Sequence, residues 1–200
     1  MKLYCTPGSP YARMARMVVL EKKLEKRVEV IFAKTRTADS PYYKINPSGR
    51  VPYLVCDDGV GLEESVLICD YLDRLDGKPA FHPAKETLEA RRLEGLARSL
   101  LDGLAVWLRE LYRPENERSP GVITHEIERA RRMTDLWERE IGHPVMRGAL
   151  NMPQLTLACA LGMEARNPEY RWRQKHPKLA AWFEPIAARA SFAATAPPSP

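Results

Sequence analysis

Apolar positions in the first 75 residues fall into short runs broken by Pro and Gly, with two stretches at helical spacing between them. "KLYC" (2–5) is apolar-rich and is stopped by Pro7-Gly8, so it predicts a strand followed by a loop. From Pro10 to about Lys22, residues Met14, Met17, Val18 and Leu20 lie on or near one helical face. "RVEVIFA" (27–33) alternates and is β-branched, which predicts a second strand. The polar stretch "TRTADSPYYKINPSG" (35–49) reads as a loop. "VPYLVC" (51–56) reads as a third strand, "DDG" (57–59) as a tight turn, and "VGLEES" (60–65) as a short fourth strand. "SVLICDYLDRL" (65–75) is an amphipathic helix.

The pattern changes at "DGKPAFHPA" (76–84), which has no period and reads as an interdomain linker. Beyond it the chain is helical throughout. The periodicity predicts a long helix from about Lys85 to Tyr112 and another from about Val122 to Ile141. A third follows "LNMPQ" (150–154), and a last one starts after "HPKLAAWF" (176–183). The tail "TAPPSP" (195–200) cannot continue a helix and is expected to lie extended. A strand-helix-strand unit followed by a hairpin and a helix makes a small mixed sheet. The helical remainder cannot join that sheet and is expected to form its own domain. The expected boundaries are 1–77 and 85–200.

Composition narrows the class without naming a function. The 200 residues are 44% hydrophobic and 28% charged, as in ordinary globular proteins. No apolar run reaches membrane-spanning length, and "MKLYC" lacks the long apolar core of a secretory signal. The four cysteines (Cys5, Cys56, Cys69, Cys159) sit in apolar runs without zinc-like spacing. They read as buried reduced thiols of a cytoplasmic protein. A net charge of +5 mildly favours small anionic ligands. Lys and Arg alternate with Glu on helical faces, as in "HEIERARRMTDLWERE". That pattern argues for solvated faces rather than a nucleic-acid surface.

Three short stretches can carry chemistry. Ser9-Pro10 pairs a preferred N-cap with a preferred first helical residue. Capping alone explains it, yet the same geometry offers helix N–H groups and a hydroxyl to a thiolate. Val51-Pro52 places a proline at a strand entry, where a cis bend would leave the Val51 main chain open to a peptide-like ligand. Ser65 stands at a second helix start, a carboxylate-binding position, and Glu63 or Glu64 beside it can hold an ammonium. Together these suit a thiol peptide with a γ-linked amino-acid end.

The stretches "MKLYCTPGSPYAR", "NPSGRVPYLV" (46–55), "GLEESVLICDYL" (61–72) and "HPKLAAWFEPIAARASFAATAPP" resemble the cytosolic glutathione transferases, bacterial members above all. The resemblance spans nearly the whole chain. It implies an α/β thioredoxin-like N-terminal domain, an all-α C-terminal domain, a homodimer, and glutathione as co-substrate with no metal. By position, Ser9 falls at the catalytic hydroxyl or cysteine, and Val51 at the residue whose backbone pairs with the cysteinyl part. Pro52 falls at the cis-proline, Glu64 and Ser65 at the γ-glutamyl pair, and Lys34 at the glycine carboxylate. Tyr11, Trp107, Arg109, Tyr112 and Arg113 are candidates for a second-substrate pocket on "LAVWLRELYRPEN" and its surroundings. The implied activity is thiolate attack on a small electrophile, in detoxification.

Two departures stand out. "NMPQ" replaces the family's usual Ser/Thr-Asp start of the core helix, with Asn151 as cap and Gln154 completing a capping box. No Cys follows Gly8, so a Ser-type site is expected rather than disulfide chemistry. A non-catalytic regulatory protein of the same fold, and glutathione-dependent peroxide reduction or isomerisation, stay open at this point.

Overall fold

The computed structural model describes residues 1–78, 80–82 and 87–198. In chain order the elements are β1 (Lys2–Cys5), α1 (Pro10–Glu21), β2 (Glu29–Phe32), β3 (Tyr53–Val55), β4 (Gly61–Leu62) and α2 (Ser65–Arg74). Then come α3 (Leu88–Leu111), α4 (Pro120–Glu140), α5 (Met152–Leu161), α6 (Pro177–Ala187) and α7 (Ala190–Ala194), with short 3-10 turns between some of them. The expected helix start at Lys85 and part of the expected 76–84 linker lie outside the described residues. Among the described residues, no helix is long and apolar enough to cross a membrane.

One unit comprises Met1–His82 together with Ala190–Pro198. Its sheet has the order β2-β1-β3-β4. β1 and β2 run parallel, from Lys2 opposite Glu29 to Cys5 opposite Phe32, and α1 is the crossover that parallel pairing requires. β3 is antiparallel to β1, with Tyr4 opposite Tyr53, and β4 is antiparallel to β3, with Leu54 opposite Leu62. α1 buries Met14, Met17, Val18 and Val19, and packs on α2, which buries Ile68, Cys69 and Leu72. Each such side chain contributes about 1.5–3 kcal/mol on burial.

Ser-Pro starts recur because Ser accepts an orphan N–H and Pro needs none. Ser9 Oγ accepts from the Ala12 N–H, Ser40 Oγ from Tyr42 at the 3-10 turn of Pro41–Lys44, and Ser119 Oγ from Val122. The last case starts α4 at Pro120, two residues before the position that periodicity indicates.

The unit closed off by His82 is fastened at its end by Asp73. This carboxylate is 0% exposed and accepts the N–H groups of Ala80, Phe81 and His82 at 2.8–2.9 Å, with Lys22 Nζ 3.4 Å away. Residues 190–198, which sequence order attaches to the second domain, cluster with this first unit.

The second unit is helical and extends to Arg189. α5 is buried on every side, and α3 packs against both α5 and α4. Thr87 Oγ1 caps α3 by accepting from the Ala90 N–H. Asn151 Oδ1 accepts from Gln154 N at 3.1 Å, so the expected cap of α5 forms. The Gln154 side chain does not complete a reciprocal box. Its amide nitrogen instead donates to the carbonyls of Val145, Arg147 and Ala149, tying down the preceding loop. The last long helix, α6, begins at Pro177 inside "HPKLAAWF" rather than after it, because Pro at the first helical position starts a helix.

Candidate functional site

Strand directions bring the candidate residues of the first unit to one end of its sheet. β1 and β2 end there, at Cys5 and Phe32. β3 starts there, because Tyr53 faces Tyr4. β4 returns there, because Leu62 faces Leu54 and the chain then runs past the start of β3. Ser9 follows β1, Lys34 follows β2, Val51-Pro52 enters β3, and Glu64-Ser65 follow β4. In α/β sheets this carboxyl end of the parallel strands is where ligands bind.

Ser9 has extended backbone (φ −78°, ψ 120°), and its N–H donates to Thr6 O at 3.2 Å. Its Oγ accepts from the Ala12 N–H at 3.2 Å. A hydroxyl that accepts still has its own proton to donate, so capping and ligand contact use different parts of one group. Ser9 is half-buried, so a ligand can reach it.

The Val51-Pro52 peptide bond is cis. Among the described residues, neither the N–H nor the C=O of Val51 has a hydrogen-bond partner. The loop before it is internally braced. Asn46 Oδ1 accepts from Ser48 N at 3.1 Å, and Asn46 Nδ2 donates to Arg50 O at 3.1 Å. The Tyr42 hydroxyl donates to the same carbonyl. Ser48 Oγ donates to Glu63, and accepts from Arg50 N at 3.1 Å. Gly49 stands at φ +67° in this turn, with the Tyr43 ring 2.8 Å from where a Cβ would sit. A side chain there meets both strain and a ring.

Glu64 occupies the cap position of α2 at φ +71°, ψ 119°, and makes no side-chain cap bond. Positive φ costs a non-glycine residue about 1–3 kcal/mol and concentrates at functional sites. Ser65 is therefore the first helical residue rather than the cap, and it is buried. The two neighbouring glutamates are separated by partner. Glu63 turns to Ser48 and Asn46, while Glu64 is exposed. Lys34 is exposed, and its carbonyl accepts from Ser40 Oγ at 2.6 Å.

Cys5 ends β1, fully buried. Burial pushes its thiol up to about 12, against a smaller opposing pull from Arg16. A thiol so far above its usual range supplies almost no thiolate and makes a poor nucleophile.

In the first unit Tyr11 is a half-buried residue of the first turn of α1. In the second unit, Trp107 is 3% exposed and meets Tyr170 edge to face, with centroids 6.3 Å apart. Trp107 packs within the helical core. Tyr112 is 50% exposed under the Arg166 guanidinium, 5.1 Å from its ring centroid. Arg109 is exposed, and Arg113 pairs with Glu110 at 3.0 Å.

Of the bracing residues, Tyr42, Asn46 and Ser48 are absent from the candidates that sequence supplies, while Glu63 is offered there as an alternative to Glu64 for an ammonium. The signal for Asn46 was present, because an Asn two residues before Ser48 in "NPSG" is the pattern of a side chain that closes its own turn.

The first unit is a thioredoxin-like α/β domain, and the second is a helical domain, the pairing found in glutathione transferases. Residues 8–75 match the family description "Glutathione S-transferase, N-terminal domain". The chain is 30% identical to the GST-like protein YibF of Escherichia coli K12 over 99% of both chains. It therefore belongs to the glutathione S-transferase family. Among solved structures, it is similar to a glutathione S-transferase of Methylobacillus flagellatus with glutathione bound (TM-score 0.88, 29% identity, 98% of this chain and 99% of that one). It is also similar to a family member from Pseudomonas fluorescens Pf-5 with bound S-(propanoic acid)-glutathione (TM-score 0.85, 31% identity, 99% and 100%).

Proposed function

We propose that the chain is a Ser-type glutathione transferase that binds glutathione at the carboxyl end of β1 and activates its thiol. One observation carries this reading. Three groups gather at one sheet end: a hydroxyl with a proton to donate, a main chain at Val51 without a partner among the described residues, and a glutamate held at positive φ. Glutathione-bound relatives of the same fold support the choice of ligand.

Ser9 Oγ–H donates to the glutathione sulfur, and the N-terminus of α1 adds its positive end. One hydrogen bond to a charged acceptor is worth about 1.5–3 kcal/mol. At about 1.36 kcal/mol per pKa unit, it lowers the thiol by about one to two units. The main chain of Val51, next to Pro52, pairs with the cysteinyl unit as an added strand. Glu64 takes the γ-glutamyl ammonium, and Ser65 with the first turn of α2 takes its carboxylate. Lys34 takes the glycine carboxylate. The thiolate then attacks the electrophile: a carbon–sulfur bond forms, and the leaving group departs with its electron pair. The protein acts as a cytoplasmic homodimer in detoxification.

The test is glutathione conjugation to a panel of electrophiles and hydroperoxides, by wild type and Ser9→Ala across pH. Conjugation whose pH profile moves to higher pH in Ser9→Ala supports the reading. Conjugation with an unmoved profile refutes the role of Ser9. No response to millimolar glutathione, in turnover or in thermal shift, refutes the ligand.

A further inference from the structure

The tail that joins the first unit is held by α1, the helix that carries Ser9. Arg13 of α1 is 6% exposed. Its Nη2 donates to Phe192 O at 2.7 Å, its Nε donates to Thr195 Oγ1 at 3.3 Å, and its guanidinium lies 3.6 Å from the Phe192 ring centroid. Thr195 Oγ1 passes its own proton to Ser191 O at 2.8 Å, so the hydroxyl both accepts and donates. Further along α1, Arg16 Nη2 donates to Ala194 O at 3.2 Å, and Ser191 Oγ donates to Glu21 Oε1.

The carbonyls of Phe192 and Ala194 belong to the last turn of α7, and the Thr195 hydroxyl also reaches Phe192 O, at 3.3 Å. Two arginines of α1 donate to these carbonyls. The placement is costly for α1, because a buried cation near a helix N-terminus opposes the helix dipole. No acidic residue in the first turn of α1 compensates. The tail does so, with a carbonyl, a hydroxyl and the face of a ring.

Arg13 also closes the turn that Ser9 opens, since its main-chain N–H donates to Ser9 O at 2.9 Å. One residue is thus bonded through its backbone to Ser9 and through its side chain to α7.

We infer that the docked tail positions the thiol site: Arg13, clamped by Phe192 and Thr195, is a positioning residue that fixes the first turn of α1 and keeps a positive charge beside it. This rests on the glutathione reading above. Loss of the clamp lets the first turn loosen, and the Ser9 hydroxyl then spends less time on the sulfur. The effect falls on the thiolate more than on the neutral thiol.

The test uses full-length protein with Arg13→Gln, Arg13→Lys, Phe192→Ala and Thr195→Val. For each, the pKa of bound glutathione is read from thiolate ultraviolet absorbance, with affinity by calorimetry at acidic pH and melting temperature alongside. Arg13→Gln and Phe192→Ala are expected to cut the thiolate fraction at neutral pH by about tenfold, with acidic-pH affinity changed by less than about threefold. Arg13→Lys recovers part of the loss, because it restores charge without the ring contact. Thr195→Val, which removes one hydroxyl and keeps the Phe192 ring and the Arg13 charge, shifts the same way by about two- to threefold, and it decides the matter if the larger changes prevent folding. Variants that melt earlier with an unmoved thiol pKa overturn the inference. Absence of glutathione binding by wild type overturns the glutathione reading instead.

Discussion

Ser9 has an observed role as a helix cap and a proposed role as a thiol donor, and substitution can separate the two. As a cap, its Oγ holds the Ala12 N–H at 3.2 Å, and loss of such a cap costs about 0.5–2 kcal/mol. In the proposed role of thiol donor, its proton would lower the bound thiol by about one to two pKa units, worth about 1.36 kcal/mol each. Ser9→Ala loses both, so stability falls by about 1 kcal/mol and the bound thiol rises toward its ordinary value. Ser9→Asp keeps a cap oxygen and favours the helix dipole, so stability is expected within about 0.5 kcal/mol of wild type. Its carboxylate, however, has no proton to give and repels a thiolate, so the bound thiol rises at least as far as in Ser9→Ala. Ser9→Asn keeps the cap oxygen and offers an N–H, so both quantities stay closest to wild type. The assay pairs urea unfolding with a spectroscopic titration of bound glutathione. If thiol pKa simply tracks stability across the series, with Ser9→Asp matching wild type in both, Ser9 is a cap only and the reasoning fails.

Further outcomes follow from the same geometry. Asp73→Ala leaves three N–H groups without their buried acceptor, while Lys22 keeps Asp76 at 2.9 Å, and is expected to cost about 3–5 kcal/mol in unfolding of the first unit; a loss below about 1 kcal/mol would contradict the role given to that carboxylate. Burial raises the Tyr42 phenol from 10.0 to about 12, so the folded state holds that proton more tightly than the unfolded one. Its stabilising share is complete below pH 10 and is lost as pH rises through about 12, so Tyr42→Phe should flatten the alkaline limb of a stability–pH curve. At pH 8 a thiol near 12 is ionised in about one molecule in ten thousand, so Cys5 should resist alkylation in the native protein and react only on unfolding. Rapid native labelling of Cys5 would contradict its burial.

What sequence disclosed here was mostly local. Ser9-Pro10 marks its helix start through two side chains adjacent in the chain, and Lys2–Cys5 appears as a strand because Pro7-Gly8 stops it. Strand-helix-strand order then led to the mixed sheet, since few topologies accept it, while the thioredoxin-like class came from the resemblance to the glutathione transferases. Contacts set by distance in the chain were not legible. Nothing in "DGVGLEES" says that Glu63 turns to Ser48 while Glu64 takes positive φ, because that depends on where loop 46–50 lies. Gln154 fits a capping box by spacing, yet three loop carbonyls compete for its amide and win. Trp107 and Tyr112 look alike on a helical pattern, while the fold buries one beside Tyr170 and exposes the other under Arg166. The tail is the clearest case: Phe192 and Thr195 meet Arg13 across about 180 residues of chain.

The central claim is that glutathione sits at the carboxyl end of β1, with its sulfur on Ser9. A crystal structure of the protein soaked with glutathione tests it most directly. The account predicts the sulfur within hydrogen-bond distance of Ser9 Oγ, the cysteinyl main chain paired with Val51, and the γ-glutamyl end on Glu64 and Ser65. Glutathione found elsewhere, or bound there with its sulfur turned away from Ser9, would contradict it.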